Sequence, residues 1–182
     1  MHFVRYFCSM NDFEYRQLLP ASFAGDSRVW IYQCNRRLSL AEALQIEDMF
    51  DQFTAGWNSH GISVKGYANL FFGQFIVLMA DETATGVSGC STDSSVRLVK
   101  EIETLFKVSL FDRQSLAFII KDNIQLLPMA QLQYAIDNQF VNGNSIYFNN
   151  LVQTKDELEK NWMIPAKDSW LAKRFSLAVP SH

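Results

Sequence analysis

Cysteine is scarce and unpatterned in this chain. Cys8, Cys34 and Cys90 are odd in number, widely spaced and never arranged as C-x-x-C. A disulfide framework and a cysteine-based zinc site are therefore set aside, and a reducing cytoplasm is the expected compartment. Long apolar runs are also missing. The longest, Phe75 to Ala80, is far short of the ~20 residues that span a bilayer, and reads as a buried strand. Basic residues are outnumbered, with 16 Lys and Arg against 19 Asp and Glu, a net charge of −3. That balance disfavours nucleic acid and anionic membrane as partners, since both demand an excess of positive charge. Asp12, Glu14 and Arg16 interrupt the apolar start of the chain before a signal-peptide core could form. No His-x-x-x-His spacing is present, and no transition-metal site is expected. Repeats, low-complexity tracts and Pro/Gly-rich linkers are absent too.

What the chain has is apolar and aromatic mass. Hydrophobic residues make up 48% of its 182 residues, including fifteen Phe, six Tyr and four Trp. This suffices for one sizeable core, and the expected organisation is a single α+β domain over 13–182. Residues 1–12 read as a weakly attached N-terminal segment.

Local patterns give the element order. Residues 13–19 suggest a short helix stopped by Pro20. Arg28 to Cys34 is rich in β-branched and aromatic residues and reads as a strand. Ser39 with Glu42 forms a capping box, opening a helix with Ala43, Ile46, Phe50, Phe53 and Trp57 on one face and Gly61 as its stop. Residues 62–71 and 75–81 read as a hairpin around Gly73. Its second strand is apolar throughout, hence central and covered on both faces. A second amphipathic helix turns Val96, Val99, Ile102 and Phe106 inward. Residues 115–121 and 124–127 form another hairpin, turned at Asp122-Asn123. A third helix runs from Pro128 to about Phe140, followed by a strand at 145–148. Thr154 and Glu157 make a second capping box for a helix reaching Trp162, and Asp168-Ser169-Trp170 caps a last turn. The expectation is a mainly antiparallel sheet of about six strands with helices packed on one face. Its first six elements match the βαββαβ order of a ferredoxin-like split β-α-β fold.

Several clusters occur together: Trp30-Ile31-Tyr32-Gln33 with Asn35-Arg36, Trp57 with His60-Gly61, Ala80-Asp81-Glu82, Ser88-Gly89-Cys90-Ser91 with Asp93, Phe111-Asp112-Arg113, Phe148-Asn149-Asn150-Leu151-Val152 with Thr154-Lys155, and Pro165 with Asp168-Ser169-Trp170. In these the chain, from Arg28 to Phe175, resembles an uncharacterised bacterial family whose members are often labelled "ABC transporter ATPase". That label implies nucleotide hydrolysis. A P-loop needs Gly-Lys before its Ser or Thr, because the lysine reaches the phosphates and the hydroxyl binds Mg²⁺. No Gly-Lys pair occurs in the sequence.

The candidate site is the loop before the second helix. Ser88, Gly89, Cys90, Ser91 and Asp93 follow the acidic end of the central strand, Asp81 and Glu82. Arg36 and Arg113 are the candidate charge partners. Small residues let a backbone approach a ligand, and free N–H groups at a helix start favour an anion. The carboxylates of Asp81, Glu82 and Asp93 would instead suit an ion such as Mg²⁺. The alternative is local structure alone: Ser91 or Thr92 capping the helix, with Asp93 complementing its dipole or pairing with Arg97. Cys90 with His60 is a further nucleophile–base candidate, against a buried cysteine and a histidine at a helix end. Two function classes stay open. One is a small-ligand binding protein or enzyme, with no cofactor specified. The other is a non-catalytic interaction or assembly protein using aromatic patches or a sheet edge. The partners to test are a small molecule and a second copy of the chain. Purified protein is expected to release no phosphate from Mg²⁺-ATP. Release abolished by one substitution in the chain would overturn this.

Overall fold

The computed structural model describes residues 14–59, 61–81 and 89–177, with the side chains of 89–91 excepted. The attachment of residues 1–12 therefore lies outside the described residues. Among the described residues there are four α-helices and nine strands in three antiparallel sheets, an α+β fold. Where the sequence pattern reads as one domain, the contacts resolve into two compact units. The first takes the described residues up to Phe111 together with Val152–Glu159. The second takes Asp112–Leu151 and the described residues from Lys160.

The first unit begins with a 3-10 turn, Tyr15–Leu18. Strand β1 (Arg28–Gln33) follows, then helix α1 (Leu40–Gly56). The expected capping box is present. The Glu42 N–H donates to Ser39 Oγ at 3.3 Å, and the Ser39 N–H donates to Glu42 Oε2 at 2.6 Å. The helix stops at Gly56, short of the expected Gly61. The cause is Trp57, which is 2% exposed and turns the chain inward. Its ring packs on Phe53 at 4.7 Å and Trp30 at 6.1 Å. Two short strands, β2 (Asn58–Ser59) and β3 (Ile62–Ser63), then pair, and Gly61 between them takes a left-handed φ of +80°.

Strands β4 (Lys65–Phe71) and β5 (Phe75–Asp81) form the expected hairpin, with Phe72 and Gly73 at φ 56° and 65°. The order is β1-β5-β4, so the apolar strand is central, and all seven of its residues are buried. Helix α2 (Gly89–Phe106) comes next. Both helices cover one face of this sheet: Ala43, Ile46, Phe50, Val99, Ile102 and Phe106 meet Leu70, Ile76 and Leu78. On the opposite face lie Tyr67, Phe71, Phe75, Val77 and Met79. The segment 14–27 covers that side, with Tyr15 edge-on to Phe71 and Phe23 edge-on to Tyr67.

This is the first part of a split β-α-β unit, but the fourth strand does not complete it. The chain returns along the outer edge of β1 at 153–154 instead, where the Val29 N–H donates to Gln153 O at 2.8 Å and Arg28 bridges Thr154. Helix α4 (Lys155–Asn161) starts there, with the Glu157 N–H donating to Thr154 Oγ1.

In the second unit, β6 (Ser115–Ile120) pairs with β7 (Asn123–Pro128) and β8 (Ile146–Phe148), and β8 pairs with β9 (Met163–Pro165). The expected sheet of about six strands is thus divided. β6 finds its neighbours in β7 and β8, and β9 was not legible in the sequence. The hairpin turns at Lys121-Asp122, one residue before the expected position, both at positive φ. Pro128 ends β7 rather than opening a helix. The turn Met129–Gln131 leads into a short α3 (Leu132–Asp137). Leu116, Phe118, Leu132, Ala135, Tyr147 and Leu171 form this unit's apolar cluster.

Gly66 faces the Trp57 ring. A methyl group on it would stand 2.5 Å from Trp57 Cε3, whereas one on Gly56 meets nothing within 4 Å. Gly66→Ala should therefore lower stability by about 1–3 kcal/mol, as overpacking does. Gly56→Ala should be neutral or slightly stabilising. Urea denaturation of both variants checks the contrast; equal effects would refute it.

Candidate functional site

Strand β5 ends at Asp81, which is only 3% exposed. A buried carboxylate must be compensated, and the hairpin register supplies the means by setting Lys65 directly opposite. The Lys65 ammonium donates to Asp81 Oδ2 at 2.7 Å and to Ser22 O at 2.5 Å. It also lies 4.7 Å from the centre of the Phe23 ring, a cation–π contact. The ammonium is thus shared among three acceptors, and its task is to tie segment 14–27 to the strand end. Tyr67 adds to the same fastening. Its hydroxyl donates to Leu18 O at 2.8 Å and accepts from Asn69 Nδ2, and burial pushes it up to about 12. Tyr15 closes the row, its hydroxyl donating to Leu158 O at 2.7 Å. Burial raises it as well, to about 12.

Side-chain alternation decides what Asp81 can join. It shares a face with Met79, Val77 and Lys65, the face covered by segment 14–27. Helix α2 packs on the other face. Asp93 stands exposed on that helix. Among the described residues no three His, Cys, Asp or Glu side chains are grouped to hold a metal ion. Glu82, Ser88 and His60 lie outside the described residues, as do the side chains of Gly89, Cys90 and Ser91. The backbone of α2 starts at Gly89, so Ser91 and Thr92 sit inside its first turns rather than at the cap. The Thr92 carbonyl accepts from Ser95 Oγ at 2.7 Å.

Arg36 is held elsewhere in the first unit. Arg36 follows β1 at the sheet's opposite end, where Cys34 bonds Gln74 and Leu38 bonds Gly73. Its guanidinium reaches both oxygens of Glu42 at 3.0 and 2.7 Å, and Phe106 O at 3.0 Å. Phe106 ends α2, so Arg36 is held some 25 Å from the start of that helix, at about 1.5 Å rise per residue. Arg113 belongs to the second unit, beside the Asp112 carboxylate that accepts from the Gln114 N–H and the Ser115 hydroxyl. The one cysteine whose side chain is described, Cys34, is buried at β1's end, and burial pushes its thiol up, away from a nucleophile's range.

Lys65 was the residue the sequence pattern concealed. The signal was available in the hairpin: counting outward from Phe71 opposite Phe75 pairs Lys65 with Asp81. The second unit carries another set unremarked in the sequence, Tyr134 and Phe140, exposed by 67% and 61%. No helix among the described residues is long and apolar enough to cross a membrane. No family model, curated protein or solved structure matches this chain.

The Arg36–Glu42 pair makes a pH prediction. The Arg36 guanidinium holds the Glu42 carboxyl down at about 2, assisted by the Ser39 N–H and against a smaller opposing effect of burial. A depressed carboxyl stabilises the fold above its unfolded pKa of about 4.3, and that gain is lost as pH falls toward 2. Because Arg36 is 43% exposed, solvent screening reduces the effect to about 1–2 kcal/mol. Glu42→Gln should therefore cost that amount at neutral pH, and the gap to wild type should narrow as pH drops below 4. A pH-independent gap in chemical denaturation would refute this.

Proposed function

We propose that this chain is an interaction or assembly protein that engages another macromolecule through exposed aromatic side chains. The observation that carries the reading is the end of α3. Gln139 adopts a left-handed φ of 61°, so the Phe140 N–H donates to Ala135 O and the Gln139 N–H to Ile136 O. This is a Schellman ending, which returns the residue after the cap to the helix's last turns. In such endings that residue frequently packs on the helix. Here Phe140 remains 61% exposed, next to the turn that carries Tyr134 at 67%. Two large rings are thereby presented by a backbone fixed by its own hydrogen bonds. Aromatic side chains of this kind anchor protein interfaces, because they contribute large area at low conformational cost.

Against the ligand reading stands the direction of the polar groups. Asp81 faces segment 14–27, and Arg36 is engaged at the far end of α2.

The test is affinity capture with wild type and with the double variant Tyr134→Ser/Phe140→Ser, each confirmed folded by circular dichroism. A captured chain is then purified and titrated. The expected result is binding weakened at least about tenfold in the double variant. Equal affinity would remove the reading. Calorimetric binding of phosphate or Mg²⁺ that Asp93→Ala abolishes would instead favour a small-ligand site at the start of α2.

A further inference from the structure

β7 is the edge of the second unit's four-stranded sheet, and among the described residues no strand pairs with its outer side. Edge strands are commonly protected by a charge, a bulge or a central proline. The segment Asn123-Ile124-Gln125-Leu126-Leu127-Pro128 has no charged residue, pairs with β6 without a bulge, and carries its only proline at the end.

The direction of its backbone groups follows from the hairpin. A two-residue turn makes Ile120 and Asn123 a hydrogen-bonded pair, and such pairs then alternate along the ladder. The Met129 N–H, which donates to Gln114 O at 2.7 Å, confirms the phase. Asn123, Gln125 and Leu127 therefore direct their N–H and C=O groups to β6. Ile124 and Leu126 direct theirs outward, and so does Pro128, which has no N–H to leave unsatisfied.

We infer that β7 pairs with β7 of a second copy of this chain, antiparallel about a two-fold axis through Gln125. The inference goes beyond the Tyr134/Phe140 reading, because it concerns a separate surface, the edge of β7. An edge strand is a template that another strand complements, and an uncharged strand meets its own copy without like-charge repulsion. The chosen register sets Ile124 opposite Leu126 of the second copy, and the reverse. Every outward N–H of both strands then finds a carbonyl, and only the Pro128 carbonyl, at the strand end, is left to water. The isologous arrangement closes after two copies and joins two four-stranded sheets into one.

Sedimentation velocity on the full chain across the micromolar range should show a species of twice the chain mass. Leu126→Pro removes an outward N–H without touching the β6 ladder, and Ile124→Lys places a charge on the edge. Each should return the protein to monomer with an unchanged circular dichroism spectrum. With Cys8→Ser and Cys90→Ser as background, Gln125→Cys should form a disulfide-linked dimer under mild oxidation. If L126P fails to fold, I124K and the cross-link carry the test. A wild type that stays monomeric, or a dimer that survives both variants, would overturn the inference. Either result leaves the Tyr134/Phe140 capture experiment standing, so the two readings fail separately.

Discussion

Strand β5 is buried along its whole length, and that one condition organises the first unit. A strand without a solvent face needs cover on both sides, and the two sides are covered by different means. Helices α1 and α2 lay apolar stripes on Ile76 and Leu78. Segment 14–27, which has little regular structure, lies on the side of Phe75, Val77 and Met79 and cannot rely on a helical stripe. Tyr15, Leu19 and Phe23 are buried there, and directed polar contacts fasten the segment as well: the hydroxyls of Tyr15 and Tyr67 on main-chain carbonyls, and the Lys65 ammonium between Ser22 and Asp81. The burial of Asp81 belongs to the same arrangement, since its charge holds Lys65 where Lys65 holds the segment.

Charge in this unit has largely been taken up by backbone architecture. Arg36 connects the start of α1 to the end of α2 by bonding Glu42 and the Phe106 carbonyl together. A cation at a helix C-terminus and a carboxylate in the first turn of another each complement a helix dipole. One ion pair satisfies both, and this accounts for Arg36 without recourse to a ligand.

The parts legible in the sequence were those set by short-range rules. The Ser39–Glu42 box, the hairpin about Gly73 and the central placement of 75–81 each follow from residues within a few positions of one another. What was not legible depended on distant partners. α1 ends at Gly56 because Trp57 has Trp30 and Gly66 to pack against, and no local signal records that. Pro128, a good first residue for a helix, is equally suited to the outer side of an edge strand, and only the pairing with Ser115 decides between them. Asp81 and Asp93 are kept apart for a related reason. Nearness in sequence grouped Asp81 with Asp93, while side-chain alternation along β5 sends Asp81 to the face opposite α2.

The route of the chain through the two units has a consequence for biosynthesis. The first unit is discontinuous: Val152–Glu159 belong to it, yet they follow the stretch Asp112–Leu151 of the second. The ladder on the outer side of Val29 needs Gln153, and the hydroxyl of Tyr15 needs the carbonyl of Leu158. On the ribosome, the N-terminal sheet and its helices can collapse early, but their last contacts must await a segment made after most of the intervening unit has emerged. Contacts of such large sequence separation are slow to close. Until Gln153 and Thr154 have been made, the outer edge of β1 lacks the contacts they supply.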